Sequence, residues 1–322
     1  MIKKQEIMKF NRENFLKLFT FFIILTSNVM WAQSEAQFTQ YMYNTTIINP
    51  GYAGSRQVIS IFGGYRAQWV GLDGAPKTGA FSLHAPTRED SPVGLGISFL
   101  NDRLGPSDLN TISGDFSYKI DFGYGYDHHL SFGIKASADL LNVDYTKLTI
   151  KDEQDPRFQN NIENRLSPNV GAGVYVYGDK YYAGFSIPKF LETKFYEGNT
   201  ESLVMNKVTY YVMGGYVFDV SDIIKFKPTF LAKAVSGAPL QVDLSGNVMF
   251  YDKLTLGVAY RWDASVSALA GVQIGDGFFF GYSYDTDTKN LGSYNSGSHE
   301  VFLRFEIING SNIGRATSPR FF

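Results

Sequence analysis

Apolar and polar residues alternate with a period of two through most of this 322-residue chain, and past the first thirty positions no apolar run is long enough for a membrane-crossing helix. In "LSFGIKASADL", Leu130, Phe132, Ile134, Ala136, Ala138 and Leu140 alternate with Ser131, Lys135, Ser137 and Asp139. In "EVFLRFEI", Val301, Leu303, Phe305 and Ile307 oppose Arg304 and Glu306. Because successive strand side chains point to opposite faces, each segment reads as a strand with one apolar and one polar side. Such strands begin near Val58, Thr78, Val93, Leu109, Leu130, Val170, Lys180, Val208, Lys225, Leu240, Lys253, Ser265, Gly277 and Glu300, each spanning roughly 8 to 12 residues.

That count is even, and strands of this length suit a membrane barrel, in which only every second residue meets lipid. Loop lengths follow a parity that a soluble β-sandwich gives no reason for. The long connections, Asn142 to Pro168, Pro188 to Lys207 and Thr286 to His299, are all odd-numbered, whereas even-numbered ones shrink to Gly178 and Asp179, Tyr251 and Asp252, or Gly275 and Asp276. Long loops outside and tight turns inside are the asymmetry of outer-membrane barrels. No 40-residue blade repeat supports a propeller. The expected fold is therefore all-β, an antiparallel transmembrane β-barrel of about 14 strands. Its polar faces carry Arg66, Asp115, Lys119, Lys135, Asp139, Lys225, Lys227, Lys233, Asp243, Arg261, Arg304 and Glu306, expected to point into the lumen.

Composition bounds the partners. A formal net charge of -2 gives no basic excess to attract nucleic acid, so the expected surroundings are a lipid bilayer and protein. Cysteine is absent, which removes disulfides, thiolate metal sites and thiol nucleophiles. Lys3, Lys4, Lys9, Arg12 and Lys17 precede a short apolar core, Leu18 to Trp31, so residues 1–32 read as an export signal cleaved before Gln33. The remaining organisation is a segment 33–56 that docks in the lumen or reaches into the periplasm, a barrel over 57–309, and a periplasmic tail over 310–322. Both termini are expected on the periplasmic side.

Catalysis finds little support. His84 lies in a strand, His128 and His129 fall in a turn and His299 opens the last strand, with no metal-ligand spacing and no Ser-His-Asp arrangement. "DTDTKN", Asp285 to Asn290, resembles the start of a calcium loop but lacks the later Gly and bidentate Glu, and reads as a polar loop tip. The glycines around Gly277 precede no helix, so they form no phosphate loop. No catalytic residue, cofactor or metal is assigned.

The stretch "AQFTQYMYNTTIINPGYAGS", Ala36 to Ser55, carries no charge. Pro50, Gly51 and Gly54 force turns, Gln37, Gln40, Asn44 and Asn49 offer uncharged donors and acceptors, and Tyr41, Tyr43 and Tyr52 offer amphipathic contact surface. This stretch resembles the N-terminal hallmark of the PorP/SprF family, outer-membrane proteins associated with type IX secretion and gliding motility in Bacteroidetes. The resemblance continues through "RAQWVGLDGAPKTGAFSLHAP" (Arg66 to Pro86), "VGLGISFLNDRLGP" (Val93 to Pro106), "SPNVGAGVYVYGDKYYAGFSIPKF" (Ser167 to Phe190), Lys225 to Trp262, Gly281 to Phe305 and the ending "SPRFF". It implies an accessory barrel whose partners are a secreted adhesin or its C-terminal domain, periplasmic ring components, or lipoproteins. Contact is expected at Gln37, Tyr41, Tyr43, Asn44, Asn49, Pro50 and Tyr52, at Asp152, Asp155 and Arg157 in the charged fifth connection, and at Arg320 and Phe322 in the tail. A solute porin is the competing reading, and a lipid-acting barrel enzyme a third.

Overall fold

The computed structural model of the chain describes residues 36–123, 128–149, 160–194 and 205–308. Fourteen antiparallel strands close into a barrel: β1 (Ile59–Ala67), β2 (Lys77–Pro86), β3 (Val93–Leu104), β4 (Ser107–Phe122), β5 (His128–Val143), β6 (Ile162–Tyr177), β7 (Tyr181–Ile187), β8 (Thr209–Tyr216, continuing past Val217 as Phe218–Ser221), β9 (Ile224–Val235), β10 (Gln241–Phe250), β11 (Leu254–Arg261), β12 (Ser265–Ile274), β13 (Phe278–Asp287) and β14 (Ser298–Ile307). Each pairs with its sequence neighbours, and β1 closes on β14 in a continuous register from Ile59 opposite Ile307 to Ala67 opposite His299. Closure removes the free sheet edges that lipid cannot satisfy.

Burial runs in the reverse sense to a water-soluble protein. Ile112 and Ile134 are each 62% exposed, while Arg66 is 2% and Asp139 0% exposed. The apolar face of each strand is turned outward to hydrocarbon, and the polar face lines the interior, where ion pairs offset the desolvation of charge. Asp115 pairs with Lys135 at 2.8 Å across β4 and β5, and Asp243 with Arg261 at 2.7 Å across β10 and β11. All twelve charged residues expected on the polar faces point inward or to the inner margin of a rim.

Thirteen strands begin within about two residues of their expected positions. The sixth does not: β6 starts at Ile162 instead of Val170, so the fifth connection is 144–161, shorter than expected. β4, β5 and β6 are 16 residues long, beyond the expected range. Their upper ends pack Leu141, Val143 and Tyr145 against Leu109 and Ile162. A register shift between Leu141 and Val143, beside Asn164 at φ 50°, turns Ile162 toward that cluster. His128 and His129 open β5 and lie in no turn, because β5 extends down to pair with Phe122 and Asp121. Asp285 is no loop tip either: it lies in β13, buried and ion-paired with Arg66 at 2.5 Å.

Alternation of direction gathers the odd-numbered connections at one rim and the even-numbered ones at the other. The first rim carries 68–76, 144–161, 188–208 and 288–297, and is the long-connection rim; the second carries 178–180, 251–253 and 275–277, and is the short-turn rim.

Candidate functional site

The segment before β1 fills the lumen. A 3-10 turn at Tyr41–Tyr43, a single helical turn at Thr45–Ile48 and a second 3-10 turn at Pro50–Tyr52 compact it. The Asn49 side chain accepts from the Gly51 amide at 2.9 Å, capping the Pro50 turn, and Gly54 adopts φ +72°. This is the docked form of the segment, and it buries Tyr41, Tyr43, Asn44, Asn49, Pro50 and Tyr52 together.

Two sectors of the wall hold it by different means. Over β2 to β7 the plug backbone lies directly on the sheet. A Cβ on Gly133 of β5 would stand 2.2 Å from the Gly51 nitrogen, and one on Gly94 of β3 would stand 2.3 Å from the Ala53 oxygen, so side chains at either wall position would displace the plug. Short side chains and one lysine then reach the plug carbonyls. Ser117 Oγ donates to Ala53 O at 2.7 Å, Ser186 Oγ to Ile48 O at 2.6 Å and Lys135 Nζ to Thr46 O at 3.2 Å. Asn49 Nδ2 donates to Val174 O at 3.1 Å, and Ser82 Oγ donates to Asn44 Oδ1 at 2.8 Å.

Over β9 to β14 the contacts are made by long and aromatic side chains. At the upper end, the Thr39 and Gln40 amides donate to the Glu300 carboxylate at 2.9 and 3.1 Å, Thr39 Oγ1 donates to Asp285 at 2.7 Å, and Arg66 bridges both carboxylates. Arg261 donates to Gln37 Oε1 at 2.9 Å while holding Asp243. In the middle, Tyr43 stacks on Phe279 at 5.1 Å and lies 4.8 Å from the Phe302 ring, with Arg304 5.7 Å from its centroid; Tyr41 Oη meets Thr229 Oγ1 at 3.0 Å. At the lower end Arg56 makes a two-pronged ion pair with Glu306, with Nη2 2.8 Å from Oε2.

The seven plug residues expected as partner contacts, Gln37, Tyr41, Tyr43, Asn44, Asn49, Pro50 and Tyr52, lie along the lumen against the barrel's own wall, whereas Asp152, Asp155, Arg157, Arg320 and Phe322 lie outside the described residues. Sequence reasoning missed Thr39, Arg56 and the anchoring roles of Asp285, Glu300 and Glu306. Their only local signal is an ionisable group on an inward strand position near a strand end. Among the described residues no cluster of His, Cys, Asp or Glu is arranged to hold a metal ion.

Comparison with known proteins places this architecture. The family model described as "Type IX secretion system membrane protein PorP/SprF" matches residues 30–305. No curated protein matches the chain. Among solved structures, the CymD monoaromatic hydrocarbon channel is similar at 10% identity and a TM-score of 0.50, covering 84% of this chain and 94% of its own. The toluene transporter TbuX of Ralstonia pickettii is similar at 9% identity and a TM-score of 0.48, covering 82% and 93%, and the KdgM porin at 9% and 0.36, covering 77% and 99%. At these identities the likeness is one of fold.

Proposed function

The chain belongs to the PorP/SprF family of type IX secretion system membrane proteins, an integral outer-membrane barrel, and from that premise we propose that it is a non-enzymatic accessory of the secretion machinery that holds a partner at the membrane and conducts nothing through its own lumen. The observation that carries the reading is the plug. A lumen crossed by buried Tyr43, Asn49 and Tyr52 and latched near both rims leaves no route for a polypeptide, so a protein partner engages a rim. The long-connection rim faces outward in this reading, and its fifth connection, with Asp152, Asp155 and Arg157, is the favoured contact for a secreted surface adhesin. Periplasmic ring components or lipoproteins are the corresponding partners for the short-turn rim and the tail with Arg320 and Phe322. The termini are assigned to the periplasm only for the C-terminal end, where β14 finishes at the short-turn rim.

The experiment is purification of a C-terminally tagged chain from native outer membranes in mild detergent, followed by mass spectrometry. One dominant large secreted protein assigns it to a surface adhesin, and periplasmic ring proteins assign it to the machinery. Recovery of the barrel alone after crosslinking rejects the accessory role. A solute channel is the second reading, favoured by the charged inner faces of the strands and by a gap of about 10 Å³, room for a single water, between the plug and β10 to β12 beside Thr39, Asp243 and Arg261. Unitary conductance from the purified native chain in planar bilayers establishes it.

A further inference from the structure

The plug has a direction. Its first described residues lie level with the long-connection rim. Gln37 and the Phe38 carbonyl accept from Arg261, the last residue of β11, and Thr39 is held by Asp285 and Glu300, which lie near the upper ends of β13 and β14. Later residues sit progressively lower. Tyr41 meets Thr229 midway along β9, Asn44 meets Ser82 midway along β2, and Ala53 meets Ser117 in the lower part of β4. Gly54 N donates to His84 near the bottom of β2 at 3.2 Å, and Arg56 reaches Glu306, the penultimate residue of β14. The chain therefore descends the lumen from the long-connection rim, turns beneath β1 at 54–58, and climbs again as β1.

Two routes to the position of Ala36 are conceivable: in past the long connections, or up the lumen from the short-turn rim. The second needs another pass through a space already occupied by buried Met42, Tyr43, Thr45, Thr46 and Asn49. It would also have to pass the buried Arg66, Asp285 and Glu300 cluster, which holds Thr39. We propose that the plug enters the lumen from the face of the long connections, so that Ala36 lies at that face, opposite the face on which β14 ends. Ala36 and the end of β14 then lie on opposite sides of the membrane, whereas the sequence expectation puts both termini in the periplasm. The reading given above for the outward face adds only which side that is: with the long connections outside, Ala36 and Gln37 become part of the surface a secreted partner meets.

The chain contains no cysteine, so single cysteines report without background. Ala36→Cys is the test position, Ser293→Cys marks the connection 288–297, and Asp276→Cys marks the turn 275–277; the two markers are exposed and Ala36 is half-buried. Each is expressed in whole cells, treated with a polyethylene glycol maleimide too large to pass diffusion porins before and after outer-membrane permeabilisation, and compared at equal yield of heat-modifiable folded barrel. The expected result is that Ala36→Cys reacts in the same state as Ser293→Cys and in the opposite state to Asp276→Cys. Reaction together with Asp276→Cys, or reaction in neither state, overturns the proposal. If Ala36→Cys and Ser293→Cys react together only after permeabilisation, the threading holds and the outward assignment of the long connections is the part that fails.

Discussion

The two sectors of the lumen wall grip the same peptide by opposite strategies. Strands β2 to β7 receive it by lacking side chains: Gly94 and Gly133 let the plug backbone settle onto the sheet, and short hydroxyls of Ser82, Ser117 and Ser186 complete the contact. Strands β9 to β14 reach out instead, through Arg261, Asp285, Glu300, Glu306 and the rings of Phe279 and Phe302. Shape sets where the plug lies on one side, and charge and aromatic stacking set which side chains it must present on the other. A plug held only by shape would tolerate many sequences, and one held only by charge would tolerate many positions. This one tolerates neither.

The sharpest way to break the comparison is to fill a slot. Gly133→Val places atoms where the Gly51 amide now lies, and overpacking of this kind is relieved by the weaker partner moving, here a plug without sheet bonds. Planar-bilayer recordings are expected to change from a quiet native protein to a conducting variant, with the barrel still heat-modifiable. Conductance no different from the native chain would mean that the slot does not set the plug's seat. Next in size is the lower latch. Arg56→Met or Glu306→Gln alone leaves an uncompensated buried group and is expected to cost about 3–5 kcal/mol. The double change Arg56→Met with Glu306→Leu should recover much of that, read by urea unfolding in detergent. A double variant as unstable as either single one would place the loss on Arg304, which is buried and also pairs with Glu306 at 3.7 Å, and not on the Arg56 latch. Tyr43→Leu removes the stacking on Phe279 and Phe302, about 0.5–1.5 kcal/mol, together with the packing of the lost ring atoms, read by the same assay. Smallest of all, Lys289→Ala removes an exposed ion pair to Asp263 outside both sectors and should leave the unfolding midpoint unchanged within error.

The barrel was legible because lipid and lumen impose opposite demands on alternate residues, as Phe132 and Ile134 against Ser131 and Lys135 show at once. The start of β6 was not, for a related reason. On β4 to β6, above the level of Asp139, the inner face ceases to be polar, and Leu109, Leu141, Val143 and Ile162 form a small apolar core under Tyr145, so the rule that identifies a lumen face no longer applies there. Asn164, in a left-handed conformation, also shifts the parity. Within the plug, the amides, tyrosines and turn residues announced a docking peptide. The partners did not announce themselves, because Glu300 and Glu306 look like any other carboxylates on the polar side of a strand until the fold brings them to Thr39 and Arg56.

The ties between plug and last strand also constrain the order of folding. Arg56 and Glu306 are 250 positions apart, and Thr39 and Glu300 are 261 apart. Contacts that close almost the whole chain carry a large loop entropy and form late. The segment that precedes β1 is therefore among the last to gain its native partners. Until β14 arrives, Tyr43 lacks Phe302 and the Arg56 cation lacks Glu306. A chain truncated before Ser298 would lose its seam and its plug in one stroke, so barrel closure and lumen sealing are a single kinetic event.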